Sequence, residues 1–96
     1  MNAVNRTMYF VYILRTSSDT LYIGQTNNID RRLKEHSDKS SKSAKYVRYF
    51  NSINLVYKES FETRTEAMKR EIQLKKWTKA KKLALINNDL IKLKQL

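Results

Sequence analysis

The chain has 96 residues, with twenty Lys and Arg against nine Asp and Glu for a formal charge of +11. This is the size of one domain, and such a charge calls for a polyanionic partner, nucleic acid ahead of an acidic membrane. It has no Cys, no Pro and a single glycine, Gly24, which excludes disulfides, thiol catalysis, Cys-based metal centres and every phosphate-cradling turn that needs several glycines.

Met1 to Thr7 is polar and leads into no apolar run of signal-peptide or membrane-span length, so residues 1–8 read as a tail and the protein as soluble and cytoplasmic. Tyr9-Phe10-Val11-Tyr12-Ile13-Leu14 is a continuous apolar run rich in aromatic and β-branched residues, the pattern of a strand buried on both faces. Thr16-Ser17-Ser18-Asp19 is a turn cluster, and Leu21-Tyr22-Ile23 follows as a second strand, giving an antiparallel hairpin that Gly24 ends. Asn27 and Asn28 offer caps for a helix reaching about His36, with Ile29 and Leu33 on its apolar face. Ser37 to Ser43 alternates Ser, Lys and Asp as a solvated loop does.

Between Asn54 and Phe61, Leu55, Tyr57 and Phe61 alternate with Lys58 and Ser60, predicting a third strand with one wet face. Thr63-Arg64-Thr65-Glu66 fits a capping box, with the Thr63 hydroxyl and the Glu66 carboxylate each satisfying a backbone N–H, and opens a helix through Trp77. Thr78 caps a third helix from Lys79 to Ile86, and Asn87-Asn88-Asp89 breaks it before an amphipathic segment from Leu90 to Leu96. The order predicts an α+β domain over residues 9–86, with a small, mainly antiparallel three-stranded sheet flanked by helices, and a C-terminal helical extension over 87–96.

Three features invite chemistry. Arg32 and His36 are four apart and share one helix face, as a solvated pair or a functional one. Glu71 falls among Ala67, Met68, Ile72 and Leu74 in the apolar arc of its helix, where a carboxylate needs either a salt bridge or a metal ion. Tyr12 and Tyr22 on the hairpin are packing residues unless positive charge or a metal lowers a phenol pKa that is ordinarily near 10.

Taken together these positions resemble the GIY-YIG nuclease family. Phe10-Val11-Tyr12 matches the first half of its signature and Tyr22-Ile23-Gly24 the second. Arg32, within Asp30-Arg31-Arg32-Leu33-Lys34-Glu35-His36, matches the signature Arg, and Glu71, within Ala67-Met68-Lys69-Arg70-Glu71-Ile72, the metal-binding Glu. The similarity runs from about Tyr9 to Trp77 and is strongest to small stand-alone members. Phe10 stands where the signature has its first Gly. The Lys45-Tyr46 pair also resembles a family feature, with Val47 where relatives often carry Thr.

The resemblance implies metal-dependent hydrolysis of DNA phosphodiesters, in a family whose members act in repair, recombination, restriction and homing. Arg32 would bind the scissile phosphate, and Glu71 would hold one Mg²⁺ or Mn²⁺. Tyr12, its pKa lowered by Arg32, would accept the proton of the attacking water with His36 assisting, while Tyr22 and His36 are competing bases.

Residues 1–38 hold five basic and four acidic side chains and residues 39–96 fifteen and five, so DNA contact is expected in the second part. Lys42, Lys45, Tyr46, Arg48 and Tyr49 mix cations with aromatics, and Lys75, Lys76, Lys79, Lys81 and Lys82 surround Trp77. Neither patch has the look of a base reader, so specificity falls to DNA shape or to a protein partner. The competing readings are a nucleic-acid-binding module of the same fold without catalysis, and a basic RNA-binding protein, which leaves Glu71 unexplained.

Overall fold

The computed structural model describes residues 7–37 and 52–96. Within them strands β1 (Tyr9–Thr16), β2 (Leu21–Thr26) and β3 (Ile53–Phe61) form an antiparallel sheet of order β2-β1-β3. Helices α1 (Ile29–Ser37), α2 (Arg64–Lys75), α3 (Lys79–Ile86) and α4 (Leu90–Gln95) complete the predicted α+β fold. The unbroken apolar run makes β1 the central strand, and Val11, Tyr12, Ile13 and Leu14 are all buried.

Strand periodicity divides the sheet into two faces. Val11, Ile13 and Ile23 meet Ala67 and Leu74 of α2, and Trp77, Leu85 and Ile86 pack around them. Tyr12 and Leu14 project to the other face. Ile13 pairs with Tyr57 while Leu14 pairs with Leu55, so Val56 is an extra residue in β3. This bulge lets both Val56 and Tyr57 pack against the core.

The caps follow the sequence closely. Asn28 Oδ1 accepts from the Arg31 N–H at 3.0 Å at the start of α1, Thr78 Oγ1 accepts from Lys81 at 3.2 Å, and Asp89 Oδ1 accepts from Lys92 at 3.1 Å. Thr63 Oγ1 accepts from the Glu66 N–H at 3.2 Å as a capping box requires, but the Glu66 carboxylate accepts from the Thr63 hydroxyl at 2.9 Å instead of from a backbone N–H. α2 stops at Lys75, two residues short of Trp77, because Lys76 and Trp77 turn back with N–H bonds to Gln73 and Leu74. Gly24 does not end β2: it pairs with Tyr12, and the strand continues to Thr26.

α2 also buries a narrower stripe than its sequence suggests. Ala67 and Leu74 are its buried residues, while Met68 and Ile72 are 45% and 54% exposed. Among the described residues no helix is long and apolar enough to cross a membrane.

Candidate active site

Tyr12 projects from the central strand onto the face opposite α2, and its phenol lies across the neighbouring strand at Gly24. A Cβ at Gly24 would stand 2.6 Å from Tyr12 Cζ, far inside van der Waals contact. No glycine has a positive φ, so it is the space above residue 24, rather than a special backbone angle, that requires glycine here.

α1 brings His36 to the same place. Its Nε2 lies 3.2 Å from the Tyr12 hydroxyl, both residues are 1% exposed, and the Tyr22 ring meets the imidazole edge-on at 5.8 Å between centroids. Arg32, one turn earlier on the same helix, sets its charge beside the Tyr12 phenol and donates from Nη1 to Glu35 Oε1 at 3.1 Å. With the imidazole neutral and its Nε2 unprotonated, the Tyr12 hydroxyl donates to His36 Nε2; the other tautomer reverses the bond. The other imidazole nitrogen, Nδ1, is buried with no hydrogen-bond partner among the described residues.

Burial dominates the electrostatics. It pushes the Tyr12 phenol up to about 12, reinforced by Tyr22 and Glu71 and opposed by Arg32. The expectation that Arg32 lowers this phenol below its ordinary value is therefore reversed, because desolvation of the phenolate outweighs the neighbouring cation. Burial, with the Arg32 charge beside it, also takes His36 down to about 4. At neutral pH the pair is a protonated phenol and a neutral imidazole.

Glu71 is the carboxylate whose charge reaches Tyr12 from α2. It sits beside the buried stripe at 19% exposure, and Lys75 Nζ lies 2.9 Å from its Oε2. The salt bridge anticipated as the alternative to metal binding is thus present. No group of three His, Cys, Asp or Glu side chains that could hold a metal occurs among the described residues. One partly accessible carboxylate is nevertheless a fitting ligand for Mg²⁺ or Mn²⁺, which keep several waters and bind phosphate oxygen directly.

The expected DNA-binding cations separate. Lys75 is on Glu71 and Lys76 is exposed, whereas Lys79 reaches the hairpin turn, donating to the Asp19 backbone oxygen at 2.6 Å and lying 3.3 Å from its Oδ2. Lys81 stands over Trp77 at 4.3 Å from the ring centroid. Lys42, Lys45, Tyr46 and Arg48 lie outside the described residues. Sequence reasoning missed Gly24 as the platform for Tyr12 and Glu35 as the partner of Arg32. The first was open to discovery by counting the hairpin register, the second from the three-residue spacing.

Residues 8–84 match the model of the GIY-YIG catalytic domain. The chain is 44% identical over 85 residues to a UPF0213 protein of Clostridium perfringens, covering 88% of this chain and 89% of that one. It is 40% identical over 78 residues to a UPF0213 protein of Staphylococcus aureus, covering 81% and 93%. Two solution structures are similar: a UPF0213 protein from Bacillus halodurans, with TM-score 0.54, 35% identity and 83% of each chain covered, and a protein from E. faecalis, with TM-score 0.59, 34% identity and 90% and 91% covered.

Proposed function

The chain belongs to the GIY-YIG catalytic-domain family, and on that premise we propose that it is a divalent-metal-dependent endonuclease that hydrolyses phosphodiester bonds in DNA. The observation that carries this reading is the buried Tyr12–His36 contact with Tyr22 against the imidazole, at which the charges of Arg32 and Glu71 are felt. A fold retained only for binding has no need to set a buried imidazole and the charges of an arginine and a carboxylate around one hydroxyl.

Arg32 offers nitrogens to the scissile phosphate and opposes the charge that grows there as water attacks. Tyr12 holds the proton path: its oxygen takes the proton of the attacking water while its own proton passes to His36 Nε2. His36 is a weak acceptor in the free protein because of burial and Arg32, and a phosphate seated against Arg32 offsets the second cause. Tyr22 fixes the imidazole edge-on, and Glu71 would hold Mg²⁺ or Mn²⁺ in place of the Lys75 contact. Such an ion, when bound there, would supply Lewis-acid stabilisation of the charge on the leaving oxygen. These groups recognise phosphate rather than bases, so selectivity falls to DNA shape or to a protein partner, as suits structured or damaged DNA in repair or recombination.

The test is incubation of plasmid and branched DNA with the wild type, Arg32→Ala and Glu71→Ala, in Mg²⁺, Mn²⁺ or chelator. Wild-type cleavage abolished by either substitution and by chelation is expected. Cleavage that survives Glu71→Ala or chelator overturns the mechanism. Salt-dependent binding without cleavage by the wild type would favour the binding module.

A further inference from the structure

Resting on the endonuclease reading, we propose that Met68 and Ile72 form an apolar contact for unstacked bases beside the phosphate handled by Arg32 and Glu71. α2 buries only Ala67 and Leu74, and Arg70 occupies one flank of that stripe with its bonds to Glu59 on β3. At about 100° per residue the other flank carries, in order outward from the core, Glu71, Lys75, Met68 and Ile72. Met68 and Glu71, Met68 and Ile72, Glu71 and Lys75, and Ile72 and Lys75 are each three or four residues apart. The four side chains therefore form one contiguous patch.

In that patch a carboxylate at 19% exposure borders a lysine and two apolar side chains that are 45% and 54% exposed. Exposed Met and Ile add nothing to the core, and their position beside the proposed metal ligand puts them within reach of whatever lies next to the phosphate. Charge decides the occupant. Lys69 and Lys76 are also exposed on or just after this helix, and the chain carries +11 overall. A polyanion that presents apolar faces beside its charges is DNA whose bases are unpaired or unstacked. In an intact duplex those faces are hidden in the stack, and proteins that use Met or Ile against base steps must open it.

The test is binding in chelator, where no cleavage occurs, to a three-way branched DNA with unpaired bases at its junction and to a blunt duplex of equal strand length. Both substitutions of the Met68→Ser/Ile72→Ser variant are at the surface, and an unchanged melting midpoint confirms its fold. The expected result is roughly tenfold weaker binding to the branched DNA, the scale of removing two partly exposed apolar side chains from a contact, and less than a twofold change for the duplex. 2-Aminopurine at the junction is expected to brighten on binding the wild type and less on binding the variant. No loss on branched DNA, or an equal loss on both, overturns the proposal, as does a protein partner whose binding the variant abolishes while DNA binding is unchanged. Cleavage in Mg²⁺ is scored separately. Its absence from the wild type, with the binding difference intact, would overturn the endonuclease reading and leave this contact standing.

Discussion

Tyr12 and Tyr57 come from adjacent strands and opposite faces of one sheet, and both phenols are pushed up to about 12, chiefly by burial. Their partners differ. The Tyr57 hydroxyl donates to Glu59 Oε2, and Glu59 is gripped through both oxygens by Arg70 Nε and Nη2 at 2.9 Å each. Arg70 also donates to Gln73 Oε1 at 2.8 Å and lies over Trp77. Burial pushes Glu59 up, but the bonds from Arg70 and Tyr57 hold it below the usual carboxylate value. A proton on Tyr57 has nowhere to go, and the cluster ties α2 to β3. Tyr12 instead faces a neutral imidazole. The same three ingredients, a phenol at least partly buried, an arginine and a hydrogen-bond acceptor, make a brace with a carboxylate and, on the proposed reading, a proton path with an imidazole.

The largest test of this contrast removes the arginine from each side. Arg32→Ala is expected to reduce the cleavage rate about 10²–10³-fold, as loss of a transition-state donor does, and to leave unfolding free energy within about 1 kcal/mol because its ion pair with Glu35 is a single-bonded contact within one helix. Arg70→Met should do the reverse, lowering stability by about 2–3 kcal/mol through the stranded Glu59 while folded molecules still cut. Plasmid nicking and urea unfolding of both variants separate these outcomes. Equal effects on both assays would erase the distinction between brace and path.

Acid comes next. His36 has its pKa lowered from 6.5 to about 4 in the folded protein, so between those values the unfolded chain binds more protons and stability rises with pH. This contribution is present in full above about 6.5 and fades as pH falls towards 4, a loss of about 3 kcal/mol. Glu59 also loses stabilising charge on acidification, but below the ordinary carboxylate value of 4.5. Urea unfolding between pH 7 and 4.5 therefore reports His36, and Arg32→Ala should shrink the loss because its charge helps to keep the imidazole neutral. A flat profile would show that His36 is not held neutral by the fold.

Gly24→Ala follows, at about 1–3 kcal/mol for overpacking. Its methyl would collide with the Tyr12 ring, so cleavage should fall with stability, while Arg70, Glu59 and Tyr57 keep their contacts. Unimpaired cleavage by this variant would mean that the ring does not need its place over β2.

That glycine shows what could be read in the chain and what could not. The strands and the caps at Asn28, Thr63 and Thr78 were legible because alternation and capping chemistry are local signals, and Tyr12, Tyr22, Arg32, His36 and Glu71 were singled out through the resemblance to a family; Asp89, read as part of a helix break, is also the cap of α4. Gly24 was misread as a strand end because a lone glycine beside turn-forming Asn residues looks the same whether it stops a strand or makes room for a ring from its neighbour. Only the register, with Tyr12 opposite Gly24, tells these apart. Met68 and Ile72 were placed in an apolar arc that α2 does not bury, since periodicity gives the azimuth of a side chain but not the width of the surface it meets. The rise of Tyr12 to about 12 depends on burial from both sheet and helix, which no spacing in the sequence reports.

The smallest and sharpest prediction removes one oxygen from each tyrosine. Tyr57→Phe takes away one donor from a carboxylate that Arg70 still holds through both oxygens, so the expected loss is about 1 kcal/mol, a fall of roughly 4–8 °C in melting midpoint for a domain of this size. Cleavage by the folded variant should match the wild type. Tyr12→Phe removes the hydroxyl bonded to His36 Nε2 and leaves that nitrogen buried without its partner, so its thermal cost should be similar while cleavage falls by at least tenfold. If the two phenylalanine variants cut equally well, proton transfer does not run through Tyr12, and His36 would have to take the proton of water directly through one of its own ring nitrogens.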